Sequence, residues 1–280
     1  MNPIDSLFQR LRNTKRKAFI PFLTAGDPDL SFTEKLLPRV AQAGADLIEV
    51  GFPFSDPIAD GPVIQASYSR ALDRGLKLND IFKMLSAVTQ DPSPRPSSRK
   101  AGEREEEARG WTTPLVGMVS YSLIYRHGPA AFIDHAKTAG LSGAIVPDLT
   151  VEEADEFATL AAERDFKLIL LVTPTTPPAR AEKIVKLCTG FLYCVSVVGI
   201  TGERDTLPET IREQLRKLRA MTDLPLCVGF GVSKPNQVKE LREIADGVIV
   251  GSALVRKLEK PATAIEEVAK LVSELSAALA

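Results

Sequence analysis

Glu49 and Asp60 are the residues of this sequence best suited to acid–base chemistry. Glu49 lies within a short apolar segment, residues 45–51, and Asp60 lies in the Pro- and Asp-rich loop that follows it. Because side chains alternate between the two faces of a strand, Glu49 shares its face with Leu47 and Gly51. A carboxylate on a strand otherwise built for burial is unfavourable unless something uses it. Two such groups in succession suggest that they transfer protons.

Each carboxylate also has a purely structural interpretation. Glu49 could be neutralised by a nearby Lys or Arg, but the apolar segment around it and those at 143–147 and 191–197 contain no basic residue. A shielded carboxylate has a raised pKa, which suits proton transfer near neutral pH. Asp60 precedes Gly-Pro and could simply form a turn. Asp56 lies in the same loop, and the spacing alone does not show which aspartate is functional.

Strand-like and helix-like segments alternate along almost the whole chain, and this alternation predicts the scaffold. The apolar segments rich in Val, Ile and Phe are 18–24, 45–51, 114–120, 143–147, 167–173, 191–197, 225–229 and 246–250. Helical crossovers between buried strands imply a parallel sheet. Eight strands at roughly 25-residue intervals predict a single (β/α)8 domain of the α/β class, a TIM barrel over residues 1–280, with an extra helix at 3–13 covering its floor. An open doubly wound sheet is the alternative, but no G-x-G-x-x-G follows the first strand.

Glycine-rich turns follow the last three predicted strands and suggest a phosphate site. The loops after the seventh and eighth strands of such a barrel, with a short helix, commonly bind phosphate through backbone N–H groups. Taken alone, each glycine is more simply a tight turn. The candidate phosphate-binding residues in these turns are Gly202, Gly231, Gly251 and Ser252.

Other residues near the predicted strand ends could complete a pocket. Phe22, Tyr193 and Phe230 could form an aromatic wall, although core packing is the more usual explanation for any one of them. Thr201 lies in the polar loop after the sixth strand, which could act as a lid over the barrel mouth.

One interval, residues 91–110, is too long for a simple connection. It combines three prolines with five acidic and five basic residues and contains almost nothing apolar. Such a segment cannot bury enough surface to offset its ordering entropy, so we expect a disordered insertion. Because it joins a helix to the next strand, it is predicted to lie on the amino-terminal face, opposite the active site.

Composition excludes several classes of protein. The 35 Lys and Arg residues balance 36 Asp and Glu residues, which argues against a nucleic-acid-binding protein. The longest aliphatic run, 168–172, is far too short to cross a bilayer, and the amino terminus has no signal-peptide core. Cys188, Cys194 and Cys227 are interpreted as reduced, buried packing residues of a cytoplasmic protein. With two histidines and no Cys cluster, no metal site is expected.

The chain resembles the tryptophan synthase alpha-subunit family in several blocks that occur in order. The blocks are FIPFLTAGDPD at 19–29, IEVGFPFSDPIADGPVIQ at 48–65, VPDL at 146–149, VGITGER at 198–204, GFGVS at 229–233 and VGSALV at 250–255. The second block is highly specific to that family, whereas the glycine turns are shared with other phosphate-binding barrels. The resemblance implies a lyase that cleaves indole-3-glycerol phosphate to indole and glyceraldehyde 3-phosphate in tryptophan biosynthesis.

The resemblance also implies roles for individual residues. Glu49 matches the family's strand acid/base, which protonates carbon 3 of the indole and helps to deprotonate the adjacent hydroxyl. Asp60 matches the loop acid that holds the indole N–H. Thr201 corresponds to a lid threonine that contacts Asp60 when the loops close. The positions that line the indole pocket are Phe22, Ile145, Val172, Tyr193 and Phe230, and those that bind phosphate are Gly202, Gly231, Gly251 and Ser252.

Members of this family work with a beta subunit that carries pyridoxal phosphate, in an alpha2-beta2 complex, so no cofactor is implied for this chain. The sequence departs from the family after the third strand, where Ser120, or a shift to Tyr121, replaces the usual pocket tyrosine. Two alternatives are another phosphate-binding barrel enzyme of amino-acid biosynthesis, and a non-catalytic barrel that only activates a beta subunit.

Overall fold

The computed structural model describes residues 1–57, 60–92, 110–195, 209–229, 231 and 234–279. Within these residues every strand pairs in parallel with its neighbours. The strands are β1 Ala18–Thr24, β2 Ile48–Gly51, β3 Leu115–Met118, β4 Leu141–Ile145, β5 Lys167–Ile169, β6 Leu171–Val172, β7 Leu192–Val195, β8 Leu226–Gly229 and β9 Gly247–Val250. Each predicted apolar segment therefore overlaps a strand, although β4 begins two residues before the predicted segment 143–147.

The order of the strands closes the sheet into a barrel. Neighbouring strands follow the order β5-β4-β3-β2-β1-β9-β8-β7-β6. Since β5 and β6 are separated by the single residue Leu170, they are two halves of one strand, which pairs with β4 through its first half and with β7 through its second. This closure confirms the predicted (β/α)8 barrel and excludes the open doubly wound sheet.

Helices surround the sheet in the described part of the chain. They are α1 Pro3–Asn13, α2 Leu30–Gln42, α3 Pro62–Leu72, α4 Leu78–Gln90, α5 Tyr121–His127, α6 Pro129–Thr138, α7 Asp155–Glu163, α8 Pro178–Leu187, α9 Glu209–Arg219, α10 Pro235–Arg242, α11 Ser252–Val255 and α12 Pro261–Ala277. The amino-terminal helix and the short helix after the last strand, α11, were both expected. Among the described helices, none is long and apolar enough to cross a membrane.

Helix α1 closes the floor of the barrel. The Asn2 side chain caps it by accepting a hydrogen bond from the N–H of Ile4, and its amide group donates to the carbonyl oxygens of Ser142 (3.0 Å) and Asp165 (2.8 Å). The ring of Phe8 lies 5.8 Å from that of Phe191 at the bottom of the lumen. These contacts hold the helix against the amino-terminal ends of the strands.

The buried apolar residues form two clusters, because alternate side chains of each strand point to opposite sides of the sheet. One cluster fills the space between the sheet and the outer helices. The other, which we call the lumen cluster, consists of Ile4, Leu7, Phe8, Leu11, Ala18, Ile20, Phe22, Leu47, Ile64, Tyr68, Val116, Met118, Ile145, Ile169, Phe191, Cys227, Ile249 and Val255. Cys188, Cys194 and Cys227 are buried free thiols, as predicted.

The predicted insertion at 91–110 falls almost wholly outside the described residues. Its flanks are clear, because α4 ends at Gln90 and β3 begins at Leu115. The connection therefore enters β3 at the amino-terminal end of that strand.

Candidate active site

Glu49 lies inside the barrel in the middle of β2. It is in register with Phe22 of β1 on one side and with Val116 of β3 on the other, and both of these neighbours belong to the lumen cluster. The Glu49 side chain is completely buried, and neither carboxylate oxygen has a hydrogen-bond partner among the described residues. Burial, reinforced by the charge of Asp60, raises the pKa of Glu49 to about 8.

Asp60 lies in the loop that connects β2 to α3. Its N–H donates to the carbonyl oxygen of Pro57 (3.0 Å), and its own carbonyl oxygen accepts from the Gln65 side chain (2.8 Å), so the turn is held to the first turns of α3. Oxygen Oδ2 is buried without a hydrogen-bond partner among the described residues, and burial raises the pKa of Asp60 to about 7. A carboxyl group with this pKa can be charged or neutral near pH 7.

The structure distinguishes Asp60 from Asp56, which the spacing could not. Asp56 is exposed, and its carboxylate accepts a hydrogen bond from the hydroxyl of Ser55 at 3.0 Å. Asp60 instead faces the barrel and is close enough to Glu49 for its charge to affect that pKa. The carboxyl pair of this mouth is therefore Glu49 and Asp60.

Tyr68 is a polar residue of the barrel mouth that the sequence analysis missed. It lies on α3, yet its side chain is 1% exposed and belongs to the lumen cluster. Burial and the charges of Asp60 and Glu49 raise the pKa of its hydroxyl well above the ordinary value. The sequence does contain a signal, because Ile64 and Tyr68 are four residues apart and share one face of α3.

The predicted indole-pocket residues divide into three groups. Phe22 and Ile145 belong to the lumen cluster, and Tyr193 packs against it. Val172 instead belongs to the outer cluster, while Leu171 packs on the lumen side. The prediction for Val172 is therefore corrected by the alternation of side chains along β6. Phe230 lies outside the described residues.

The structure describes three of the four predicted phosphate-binding residues. Gly251 caps the amino terminus of α11, and Ser252 is the first residue of that helix. Gly231 has a φ of +36°, a left-handed conformation that favours glycine. Both glycines follow the carboxyl ends of their strands, the end at which Asp60 also lies. Gly202 and the lid residue Thr201 lie outside the described residues.

Ser120 and Tyr121, where the sequence departs from the family after the third strand, do not form a wall of the pocket. Ser120 is buried and donates a hydrogen bond from its hydroxyl to Asp148 Oδ2 at 2.6 Å, while the N–H of Tyr121 donates to Oδ1 at 2.7 Å. The Tyr121 ring packs outside the barrel, 6.0 Å from that of Phe157. Tyr121 therefore does not replace a lumen tyrosine.

The closed barrel, with a buried carboxyl pair at its carboxyl-terminal mouth, has the architecture of the (β/α)8-barrel enzymes, whose active sites lie at that end. Within the described residues, no group of three or more His, Cys, Asp or Glu side chains could hold a metal ion. The model of the family "Tryptophan synthase alpha chain" matches residues 8–98 and 101–279. The chain belongs to this family.

Individual relatives agree with the family match. The chain is 50% identical to the tryptophan synthase alpha chain of Rhodopirellula baltica over 258 residues, which cover 92% of this chain and 87% of the relative. It is 41% identical to that of Synechocystis over the full length of both chains, 282 aligned positions. The solved alpha subunit from Legionella pneumophila superposes with a TM-score of 0.84 at 31% identity and covers 100% of this chain and 98% of that one. A chain of Mycobacterium tuberculosis tryptophan synthase in its aminoacrylate-bound form gives 0.84 at 29% identity, with full coverage of both.

Family membership defines the reaction. The chain is a carbon–carbon lyase of tryptophan biosynthesis that cleaves indole-3-glycerol phosphate to indole and glyceraldehyde 3-phosphate, the alpha reaction of tryptophan synthase. This result confirms the resemblance and excludes a barrel enzyme of another family.

Proposed function

We propose that Glu49 and Asp60 perform this cleavage, with Glu49 as the general acid and base and Asp60 at the indole N–H. The observation that carries the assignment is that both oxygens of Glu49 and Oδ2 of Asp60 are buried without hydrogen-bond partners among the described residues. Buried carboxylate oxygens normally have partners, and a substrate with an N–H and a hydroxyl group supplies them.

The cleavage requires two proton transfers, one on each side of the carbon–carbon bond that breaks. Glu49 gives a proton to carbon 3 of the indole, and the positive charge that develops on the ring is stabilised by ionised Asp60 at the ring N–H. The Glu49 carboxylate then removes the proton from the side-chain hydroxyl. As the carbonyl of glyceraldehyde 3-phosphate forms, the carbon–carbon bond breaks and its electron pair returns to the ring, which becomes indole.

The two pKa values suit this sequence. Burial raises both pKa values, that of Glu49 to about 8 and that of Asp60 to about 7, so between pH 7 and pH 8 Glu49 holds its proton more firmly than Asp60 does. This order suits a reaction that begins with a proton on Glu49 and a charge on Asp60, and both pKa values lie near the operating pH.

The rest of the site follows from the family's motif positions. We assign the phosphate group to the N–H groups around Gly202, Gly231, Gly251 and Ser252, and the lid contact with Asp60 to Thr201. Phe22, Ile145, Tyr193 and Phe230 form the indole pocket. In support, the described members of both sets lie at the carboxyl-terminal mouth, where backbone N–H groups and a helix amino terminus favour phosphate.

We also propose that the chain works with a tryptophan synthase beta subunit in an alpha2-beta2 complex. The loops 53–62 and 199–208 would contact that subunit, which carries the pyridoxal phosphate, and this chain itself needs no cofactor. The buried free thiols fit a cytoplasmic enzyme. We also infer that the chain is a single domain, in which the connection from α4 enters β3 at the amino-terminal end of that strand.

Indole release from indole-3-glycerol phosphate tests the assignment. The purified chain is assayed alone and with a beta subunit, as wild type, Glu49→Gln and Glu34→Gln, the last of which changes an exposed carboxylate on α2. We expect slow release by the wild type alone, faster release with the partner, and no release by Glu49→Gln under either condition. Wild-type rates from Glu49→Gln would disprove the mechanism. A wild-type chain that releases no indole yet activates the beta subunit would instead indicate a non-catalytic barrel.

A further inference from the structure

Tyr68 reaches the barrel lumen from a helix outside the sheet. Its ring lies 5.8 Å from that of Phe54, and its hydroxyl oxygen lies only 2.7 Å from the position that a Cβ atom on Gly51 would occupy. Gly51 is two residues beyond Glu49 on β2 and therefore faces the same way. The Tyr68 hydroxyl is thus beside the strand that carries the general acid.

This hydroxyl has no hydrogen-bond partner among the described residues, although it is buried. A buried tyrosine hydroxyl that served only to stabilise the fold would be expected to have one. In the described part of the chain, the other buried side-chain oxygens without a partner are Oε1 and Oε2 of Glu49 and Oδ2 of Asp60. Four such atoms on three neighbouring residues are typical of a site that its ligand completes.

The groups that act electrostatically on Tyr68 are Asp60, Glu49 and Tyr193. Burial, reinforced by the charges of Glu49 and Asp60, also raises the pKa of Tyr193 well above the ordinary value, so Tyr193 stays neutral. Burial and the same two carboxylates keep the Tyr68 hydroxyl protonated by raising its pKa. Near neutral pH Tyr68 is therefore a fixed neutral donor, and the two carboxylates are its charged neighbours.

We propose that Tyr68 is a positioning residue of the lyase site: with substrate bound, its hydroxyl donates a hydrogen bond to the ionised member of the Glu49–Asp60 pair. The proposal rests on the assignment of that pair under the proposed function. A hydrogen bond to the charged form of a carboxyl group favours that form. Tyr68 thereby keeps one carboxylate ionised and oriented toward the indole in a site where burial favours neutral acids.

The test variant is Tyr68→Phe, which keeps the ring and its packing and removes the donor. Indole release is measured from pH 6 to pH 9 with and without a beta subunit, together with thermal unfolding. We expect kcat at pH 7 to fall about 10- to 100-fold, the effect of one hydrogen bond to a charged group. The acidic limb of the pH profile moves to higher pH by about one unit, KM changes little, and the Tm is unchanged or higher.

Two further variants make the outcome specific. Tyr125→Phe removes a hydroxyl from a residue that is 70% exposed on α5 and should match the wild type. If Glu49→Gln abolishes release while Tyr68→Phe keeps the wild-type kcat and pH limb, the role of Tyr68 is disproved and the carboxyl pair stands. A Tyr68→Phe variant that loses activity and Tm together, with an unmoved pH limb, has lost only packing, and this too overturns the proposal. If the Glu49→Gln variant releases indole, the assignment of the carboxyl pair is wrong, and the proposed role of Tyr68 falls with it.

Discussion

Arg70 on α3 and Asp27 in the loop after β1 form a two-point ion pair across the mouth of the barrel. Nε of Arg70 donates to Oδ1 of Asp27 at 3.0 Å, and Nη2 donates to Oδ2 at 2.7 Å. Asp27 is almost fully buried, and the Arg70 side chain is about one-third exposed. Since α3 begins just after Asp60 and carries Tyr68, this pair holds in place the helix that positions two polar groups of the site.

Replacing Arg70 by Met is expected to lower the free energy of unfolding by about 2–3 kcal/mol, because it leaves Asp27 buried without its cation. This value is below that for a fully buried pair since Arg70 is partly exposed. The matched control is Arg39→Met, which breaks a surface pair in which Nη2 of Arg39 contacts both carboxylate oxygens of Glu266 at 2.9 Å. It should change stability by about 1 kcal/mol or less. Urea unfolding of both variants checks the prediction, which fails if their losses are equal.

Gly51→Ala should impair the reaction as well as lower the stability of the fold. The new Cβ atom would lie 2.4 Å from Cζ of Phe22 and 2.7 Å from the hydroxyl oxygen of Tyr68, so both side chains must move. Overpacking of this kind costs about 1–3 kcal/mol. We expect a lower kcat and a higher KM in the indole-release assay, because both displaced residues lie at the mouth beside the carboxyl pair.

Gly117→Ala is the control for this substitution. Gly117 is also a strand glycine, but its added Cβ would meet Phe52 and Val119 of the outer core, each at 3.2 Å. This variant should lose stability while its kcat stays at the wild-type value. A Gly51→Ala enzyme with wild-type kinetics would show that Phe22 and Tyr68 can move without consequence for the reaction.

Most of the fold could be predicted because strands that are buried on both faces have continuous apolar sequences. The break of the fifth barrel strand at Leu170 could not be predicted, since it depends on pairing with two strands on opposite sides. Glu49 was identifiable because a carboxylate interrupts an apolar segment. The choice of Asp60 over Asp56 depends on the path of the loop, which spacing does not encode.

The errors within the site have one physical origin, which is the direction of side chains. A displacement of one residue along a strand reverses the face, so Leu171 lies in the lumen where Val172 was expected. Tyr68 was overlooked because an aromatic residue on an apolar helix face is ordinarily a core residue. Its functional character depends on an unpartnered hydroxyl, which only the three-dimensional structure reveals.

Ser120→Ala is expected to destabilise the protein by about 1–2 kcal/mol. The hydroxyl of Ser120 accepts from the N–H of Ser122 at the start of α5, and it also donates to Oδ2 of Asp148, an exposed residue, at 2.6 Å. Loss of a helix cap and of a hydrogen bond to a charged group each contributes on this scale. Ser69→Ala, which removes an exposed hydroxyl on α3, should change the Tm little. Equal effects of the two substitutions in thermal unfolding would contradict this role of Ser120.

Glu49→Gln should stabilise the folded chain, and increasingly so as the pH rises. The folded pKa of Glu49 lies at about 8, above its ordinary value of 4.5, so the folded state holds a proton that the unfolded state releases. The stability of the wild type therefore declines between about pH 4.5 and pH 8, whereas a glutamine has no proton to lose. Because one pKa unit corresponds to about 1.4 kcal/mol, the difference should reach several kcal/mol at high pH. Urea unfolding at pH 5, 6, 7 and 8.5, with Glu34→Gln as the exposed control, measures it. A difference between Glu49→Gln and wild type that stays constant over this range would show that Glu49 is not buried as a neutral acid.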